Sequence, residues 1–402
     1  MSAQSKPPPV CLANSASPEC KAVLRLKLAR GMSSSAWNAI RESFGGAAGA
    51  LCASAAAWQA ARLAPQLRDA ALGVTQRALQ GLLTQLSDAG AHVLIRNDAA
   101  YPHLLSHLSD APPVLFVRGE LKPQTTACVA IVGSRAATPT GHATARRFGE
   151  TLVAQGCTLV SGLALGIDAA AHQDALRAVP VHGQLPQIAV AACGSDRVYP
   201  RAHERLAEEI VVSEGVILTE FSPGERPLAA HFPQRNRIIS GICLGVVVVE
   251  AAERSGSLIT ARLAAEQGRE VSAGPGAVVS AQSRGCHSLI RDSAMLVEDM
   301  AEVFSELKLE SAFQSEMQPK TKGSVASSQR VEAPHELPGE PVYRMLQSGP
   351  MSVDDVAAAL GVAPPEALSR LEKLALSGFV CGAVGGVGMF RFRACDRENR
   401  SS

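Results

Sequence analysis

The sequence predicts an α/β protein whose main domain is a doubly wound, mostly parallel sheet, with a small helical domain before it and a winged-helix domain after it. Two observations support this prediction. Between residues 91 and 310, short apolar runs such as 127–133 alternate with segments long enough to form crossover helices. Before residue 90 the apolar residues follow a helical period, and after residue 339 helical segments precede two short strands.

The N-terminal part divides into two segments. Residues 1–20 are rich in Pro and Ser, which predicts disorder. Residues 21–90 have helical periodicity broken at Gly31, Gly45 and Gly46, which predicts a small helical domain of the sterile-alpha-motif or helix-hairpin-helix kind. Short helices joined by Gly turns allow a DNA contact, but a packing or docking role is favoured, so no site is assigned there.

The predicted sheet occupies residues 91–310. Apolar runs of this length, bounded by Gly, Ser or an acidic residue, are typical of the strands of a parallel sheet. They give about six strands or more, with a helix between successive strands. The runs lie at 127–133, 157–162, 187–194, 215–221, 244–251 and 270–274.

A third unit is predicted after a flexible linker. Residues 311–338 are polar, poor in large apolar residues and punctuated by Lys, Ser and Pro, which is typical of a linker. Residues 339–395 then follow the pattern of a winged helix: two helices, a turn around Gly361, a helix from Pro365 and two short strands.

The charge of the predicted recognition helix argues against a DNA reader. Its two acidic residues, Glu366 and Glu372, balance Arg370 and Lys373. A helix without net positive charge is poorly suited to a DNA groove, since attraction to phosphates supplies much of the affinity. The winged helix is therefore expected to mediate protein docking or dimerisation rather than direct DNA contact.

Composition predicts a globular, cytoplasmic protein. The chain has 402 residues, of which 47% are hydrophobic, so it can bury large cores in two or three domains. No apolar run reaches the roughly 18 residues of a membrane helix, and the N-terminus lacks the apolar stretch of a signal peptide. We therefore expect no membrane insertion.

The cysteines indicate neither a disulfide framework nor a metal site. The ten cysteines are scattered, form no C-x-x-C pair, and several lie in apolar runs, as reduced core residues do. No group of Cys and His has the short spacing of a zinc site. No metal or other cofactor is predicted.

Charge restricts where a nucleic acid could bind. The net charge of the chain is only +1. Residues 128–305 contain fifteen Arg and no Lys against eighteen Asp and Glu. Arg suits phosphates and base edges better than Lys does, although high-GC codon usage produces the same bias. Any nucleic-acid site must therefore be a local patch.

The segment around residue 133 predicts an anion site. An apolar strand ends at Gly133, Ser134 and Arg135, and a helix-compatible segment follows from Thr140. Small residues and a cation between a strand and a helix start are the elements of anion binding. The next glycine is Gly141, so the three-glycine dinucleotide fingerprint is missing, which argues against a dehydrogenase.

Other loops are expected to join this one, because ligands of open parallel sheets bind beyond the carboxyl ends of the strands. Residues 254–262 place small residues at a helix start, where backbone N–H groups face an anion, although an ordinary Ser cap also fits. Residues 231–241 add cations and a ring suited to single strands, although a surface salt-bridge loop also fits. The candidate binding residues are Gly133, Ser134, Arg135, Ser161, Gly162, Phe232, Arg235, Asn236, Arg237, Ser255, Gly256 and Ser257.

Asp168 and His172 form the one candidate catalytic pair. They lie four residues apart, on one face of a predicted helix. Without a nearby Ser or Cys nucleophile signature, such a pair is more often structural. We favour a capping and packing role and predict no catalytic residue.

Taken together, these motifs resemble the DNA processing protein A family, also called DprA or Smf. The similar segments are GSR, SGLALGIDAAAH, GSDRVYPRAH, TEFSPG, FPQRNRIISG and VVVVEAAERSGSLITARLAAEQGRE, over about residues 100–300. The helical and winged-helix units resemble known architectures of the family. Residues 272–276 depart from it, because they read SAGPG where the family commonly has FAVPG.

The resemblance implies a Rossmann-like fold that binds single-stranded DNA, forms a homodimer and loads the recombinase RecA during natural transformation, without catalysis or cofactor. It implies that Arg135, Arg235 and Arg237 are phosphate ligands and that the other candidate residues apart from Phe232 shape or line the pocket.

Two other functions are compatible with parts of this pattern. A nucleotide phosphoribohydrolase of the Lonely Guy or lysine-decarboxylase-like class shares a related fold, but its P-G-G-x-G-T-x-x-E loop is missing after Gly274. A transcription regulator would need a basic recognition helix. Both alternatives therefore rank below a DNA-binding protein.

Overall fold

The computed structural model describes most of residues 17–309 and parts of the C-terminal region. The described residues are 17–309 apart from 30, 122–125 and 182, and then 345–346, 351–371 apart from 365 and 368, 380–385 and 389–394. The chain forms two compact units, residues 1–319 and 320–402. Of the predicted disordered segment and linker, residues 1–16 and 311–338 lie outside the described residues.

The first unit begins with six helices that build a small helical region. The first of them starts at Pro18, inside the segment that composition assigned to disorder. The helices share a core around the fully buried Trp58, whose indole N–H donates to the carbonyl of Ala50 at 2.7 Å. They are α1 (Pro18–Ala29), α2 (Ser34–Phe44), α3 (Ala47–Cys52), α4 (Ala55–Ala60), α5 (Pro65–Leu72) and α6 (Gln76–Asp88).

A nine-stranded mixed sheet follows, in the order β1-β2-β6-β5-β4-β3-β7-β8-β9. The first two strands pair antiparallel with each other, and β2 pairs antiparallel with β6. The other seven strands are parallel. The strands are β1 (Ala91–Ile95), β2 (Val114–Arg118), β3 (Cys128–Val132), β4 (Thr158–Ser161), β5 (Gln187–Val190), β6 (Val216–Thr219), β7 (Gly245–Val248), β8 (Glu270–Ala273) and β9 (Met295–Leu296).

Helices cover both faces of this sheet, as the alternation of strands and helices predicts. Successive residues of β3 point to opposite faces: Val129 packs in a core with Phe148, and Ala130 in another with Ile238. The helices are α7 (His103–Ser106), α8 (Pro139–Ala154), α9 (Ile167–Ala175), α10 (Glu204–Val212), α11 (His231–Ile242), α12 (Gly256–Glu266), α13 (Arg284–Arg291) and α14 (Met300–Glu306).

The strand order determines where a ligand can bind. The chain builds the sheet outward from β3, toward β6 on one side and toward β9 on the other. The connections after β3 and β7, which are neighbours, therefore leave the sheet in opposite directions. Such a switch point opens a crevice at the carboxyl ends of the two strands.

The second unit contains a helix and a three-stranded antiparallel sheet. The helix α15 (Val353–Leu360) begins with a capping box between Ser352 and Asp355 and ends at Gly361, which has a φ of 65°. The sheet order is β10-β12-β11, formed by β10 (Met351–Ser352), β11 (Val380–Gly385) and β12 (Met389–Ala394). Most of the predicted recognition helix lies outside the described residues, so the winged helix stays a prediction.

Two further findings concern the chain as a whole. Within the described residues, no helix is both long and apolar enough to cross a membrane. Within the described residues, Cys20, Cys128, Cys157, Cys193, Cys243 and Cys286 are buried and form no disulfide, and neither does Cys52, which is exposed.

Candidate functional site

A cleft of about 480 Å³ lies at the switch point between β3 and β7. Most of its lining comes from three places: the loop after β3, the first turns of α11 and the start of α12; Ala164, Asp168 and Gln282 complete it. These segments are far apart in sequence, and the sheet brings them together because β3 and β7 are adjacent. Of the predicted site residues, Gly133, Ser134, Arg135, Phe232, Arg235, Asn236, Ser255, Gly256 and Ser257 line the cleft.

The loop after β3 is fixed by its two small residues. A Cβ on Gly133 would lie 2.6 Å from the side chain of Ile167 and 2.9 Å from the carbonyl oxygen of Glu250, so a larger residue does not fit. The buried Ser134 donates its backbone N–H to that carbonyl at 2.6 Å and its hydroxyl to Gln282 Oε1 at 2.9 Å. The loop thereby holds the exposed Arg135 at the mouth of the cleft.

Two aromatic rings lie beside Arg135. Its guanidinium carbon is 5.0 Å from the ring centroid of Phe232, within cation–π range. The centroid of Phe232 is in turn 5.6 Å from that of Tyr199, and Tyr199 is 48% exposed. A cation and two rings at one rim can attract a phosphate and stack with a flat, apolar group at the same time.

Arg235 lies beneath this rim and is only 4% exposed. Its Nη1 donates to the carbonyl of Val190 at 2.6 Å, and its guanidinium fills the space that a Cβ on Gly162 would need. Burial lowers the pKa of Arg235 to about 10; Asp168 opposes this effect and Arg135 adds to it. The side chain is therefore a charged group in the cleft floor at neutral pH.

Asp168 and His172 have different partners. Asp168 accepts N–H groups from Gly162 at 3.0 Å and from Ala164 at 3.4 Å. Burial raises the pKa of this carboxyl, and the nearby Arg235 and these N–H groups lower it. His172 Nδ1 lies 2.8 Å from Gln187 Oε1, and burial lowers the pKa of the imidazole to about 4. Both side chains thus organise the loop and core around the cleft.

The start of α12 forms the opposite wall. Ser255 caps the helix by accepting the N–H of Ser257 at 3.3 Å, and the two hydroxyls are 2.7 Å apart. The side-chain amide of Asn236 donates to the carbonyl of Gly256 at 3.3 Å and so ties α11 to α12. A Cβ on Gly256 would meet no atom within 4 Å, so the helix N-terminus is open. Its positive end favours an anion there.

Three predicted residues do not line this cleft. Arg237 lies on the other side of α11, where its Nη2 is 2.6 Å from Glu220 Oε2 and where it also contacts Asp110. The buried hydroxyl of Ser161 donates to the carbonyl of Ile131 at 2.6 Å, and Gly162 lies against Arg235 in a smaller adjoining pocket. Arg135 and Arg235 therefore line the cleft, whereas Arg237, the third predicted phosphate ligand, faces away from it.

Three residues that the sequence analysis did not select belong to this region. Arg254 and Gln282 line the cleft, and Tyr199 lines the adjoining pocket. Arg254 directly precedes the candidate residues 255–257, so its position in the sequence could have indicated a place in the cleft. Tyr199 lies in the segment GSDRVYPRAH, where an aromatic residue in a loop after a strand was also a signal. No feature of the sequence indicated Gln282, because only the fold brings its loop to Ser134.

Among the described residues, no group of three or more His, Cys, Asp or Glu side chains could hold a metal ion. The chemistry that the cleft offers is that of cations, a helix N-terminus and aromatic rings. Groups of these kinds suit an anion that carries a planar group.

Comparisons with known proteins agree with this arrangement. The sequence profile of DNA recombination-mediator protein A matches residues 92–308, which is more than half of the chain. The chain belongs to this family. The matched residues include the whole nine-stranded sheet except Ala91, and all the residues that line the cleft.

Individual relatives of the family support the same assignment. The chain is 38% identical to Protein Smf of Escherichia coli K12 over 81% of this chain and 84% of that protein. It is 44% identical to DNA processing protein DprA of Streptococcus pneumoniae R6 over 52% of this chain and 72% of that one. The X-ray structure of the Streptococcus pneumoniae DprA superimposes with a TM-score of 0.61 at 33% identity, covering 71% of this chain and 96% of the other.

These findings confirm the family resemblance and the α/β, Rossmann-like fold. The family is one of DNA-processing proteins and not of enzymes, so the nucleotide-hydrolase alternative is set aside.

Proposed function

We propose that this chain binds single-stranded DNA in the cleft between β3 and β7 and thereby acts as a mediator of DNA recombination. The observation that supports this most directly is the meeting of Arg135, Phe232 and the N-terminus of α12 at one opening. Cations and N–H groups suit phosphates, and exposed rings suit unpaired bases. Recombination is the process named by the family to which the chain belongs.

The cleft would distribute its contacts between phosphate and base. Arg135, Arg254 and the N-terminus of α12 surround the opening, and Arg235 adds positive charge from the floor. The rings of Phe232 and Tyr199 lie on the side of Arg135 that faces the adjoining pocket. Single strands would bind more tightly than a duplex, because only unpaired bases offer free faces to these rings.

The finer parts of the proposal rest on the family resemblance. We propose that the DNA-bound chain loads RecA onto single strands during natural transformation, that it acts as a homodimer, and that it does so in the cytoplasm without a cofactor. The winged-helix unit would serve docking or dimerisation. The family name and the DprA proteins among its relatives support this role.

The test is fluorescence anisotropy of a labelled oligothymidine, beside a duplex of equal length, with the full-length protein over a series of salt concentrations. Wild-type protein should bind the single strand more tightly than the duplex. Arg135→Ala should weaken single-strand binding at least about tenfold, or 1.4 kcal/mol, because it removes an exposed phosphate ligand and its contact with Phe232.

Arg205→Ala is the matched control. This arginine is also exposed but lies on α10, where its Nε is 2.8 Å from Glu209 Oε1. Its loss should leave DNA binding unchanged. Equal effects of the two substitutions, or no binding of wild-type protein at low salt, would contradict the proposal.

A further inference from the structure

Two histidines on α7 bring their ring nitrogens together at the surface of the first unit. His103 and His107 are four residues apart and both are exposed. Their Nε2 atoms are 3.1 Å apart, and their rings meet at 78° with centroids 4.5 Å apart. The DNA-binding cleft uses neither of them.

We propose that His103 and His107 form a binding site for a divalent transition-metal ion of the Cu²⁺, Ni²⁺ and Zn²⁺ group. Two nitrogens that each lie about 2.0–2.1 Å from one ion, at angles of about 90–110°, are about 2.8–3.4 Å apart. The observed separation of 3.1 Å falls inside this interval. The two side chains therefore need little rearrangement to coordinate one ion.

Binding of the ion involves only a proton shift and an exchange of ligands, and no redox step. In the free protein, a hydrogen bond between the rings uses the Nε2–H of one imidazole and the Nε2 lone pair of the other. An ion needs both lone pairs, so the donor ring moves its proton from Nε2 to Nδ1 through solvent. The N–H···N bond breaks, two metal–nitrogen bonds form, and two water molecules leave the ion.

The surroundings determine the selectivity and the strength of the site. Within the part of the chain that the structure describes, no third His, Cys, Asp or Glu completes the coordination, so the remaining ligands would be water. Imidazole suits Cu²⁺, Ni²⁺ and Zn²⁺, whereas Mg²⁺ and Ca²⁺ prefer oxygen ligands. Binding should follow the order Cu²⁺ above Ni²⁺ and Zn²⁺, with no detectable Mg²⁺ binding.

Ion binding would also stabilise the folded protein. The helix α7 has only four residues and is held in place by contacts with neighbouring elements. Arg96 Nη2 donates to the carbonyl of Leu108 at 2.9 Å, and Arg269 Nη2 donates to that of Leu104 at 3.1 Å. An ion that joins two successive turns of this segment binds the folded chain better than the unfolded one. The melting temperature should therefore rise with ion concentration.

Calorimetric titration of NiCl₂, ZnCl₂ and CuCl₂ into the untagged full-length protein tests the site, with MgCl₂ as the negative comparison. One ion per chain should bind. His103→Gln and His107→Gln should each weaken binding at least about tenfold and abolish the rise in melting temperature, because one remaining imidazole is a poor ligand set. His142→Gln, on α8, is the control and should change neither quantity.

Ring-nitrogen NMR of the wild-type protein gives an answer that does not depend on the folding of any variant. The Nε2 resonances of His103 and His107 should be the ones that change when Zn²⁺ is added. Changes at other histidines alone, equal affinities of wild-type and Gln variants, or no binding at millimolar ion would each overturn the proposal. None of these outcomes bears on DNA binding in the cleft.

Discussion

The two sides of α11 offer a comparison between a small basic cleft and a large neutralised cavity. On one side, the cleft of about 480 Å³ is lined by Arg135, Arg235 and Arg254, with Asp168 as the one acidic side chain. On the other, a cavity of about 760 Å³ lies between the helical region and the sheet. Its charged lining residues are Lys27, Arg237, Asp110, Glu220 and Glu225.

The proposed anion site is therefore the smaller of the two spaces, so volume alone does not identify it. The larger cavity has more acidic than basic side chains, and its Arg237 is paired with Glu220. In the smaller cleft, Arg135 is exposed beside the ring of Phe232, and the N-terminus of α12 lines the same cleft. Free positive charge and N–H groups, rather than space, qualify a site for phosphate.

Helix geometry explains how residues 235–237 of α11 contribute to both the cleft and the cavity. Arg235 and Arg237 are two residues apart on α11, and residues at this spacing point to nearly opposite faces of a helix. Arg235 therefore enters the cleft floor, while Arg237 is 12% exposed against Glu220, which is 6% exposed.

The largest expected effect concerns stability on the cavity side. Arg237→Ala should lower the free energy of unfolding by about 3–5 kcal/mol, because it leaves the buried carboxylate of Glu220 without its ion pair. Urea denaturation at neutral pH measures this loss. Single-strand affinity of the folded variant should stay within about twofold of wild type. Weakened DNA binding with unchanged stability would place Arg237 in the DNA site after all.

The second effect concerns the rim of the cleft. Tyr199→Ala should weaken oligothymidine binding by about 1–3 kcal/mol, because it removes an exposed ring beside Phe232 on which a base can stack. Anisotropy titration measures the change. Tyr199→Phe keeps the ring and should bind as wild type does; an equal loss in both variants would attribute the effect to the hydroxyl and not to stacking.

A third change tests the helix N-terminus. Gly256→Asp should weaken single-strand binding at least about tenfold, or 1.4 kcal/mol, since a carboxylate would occupy the anion position. The new side chain has open space, so thermal stability should not fall. Gly256→Ala adds a Cβ without charge and serves as the control. Wild-type affinity of the Asp variant would exclude the start of α12 from the phosphate path.

The smallest expected effect is a change in salt dependence. The slope of log affinity against log salt concentration should decrease in magnitude by about 0.7 in Arg135→Ala, since one phosphate contact is lost. The same salt series with Arg237→Ala should give the wild-type slope. A reduced slope in both variants would remove the distinction between the two sides of α11.

The sequence predicted turns and helix ends well where the residue type at one position determines the backbone conformation. The turn of Gly133 and Ser134, the cap at Ser255 and the left-handed Gly361 follow from residue types that few other residues can replace. The apolar runs indicated the parallel strands, and the family resemblance is confirmed by the profile match. The antiparallel pairing of β1 with β2 and the start of α1 at Pro18 were not apparent from the sequence, because pairing direction and helix ends depend on the neighbouring structure.

The sequence by itself determined the α/β fold class, the family and most of the loops that line the cleft, because strand and helix periods and Gly or Ser turns are properties of adjacent residues. Only the tertiary structure decided which side chains of those loops meet. The pairing of β3 with β7 brings Gln282 and Arg254 to the cleft, and the orientation of α11 places Arg237 against Glu220. Such partners are separated by long stretches of chain, so their contacts depend on packing and not on local sequence.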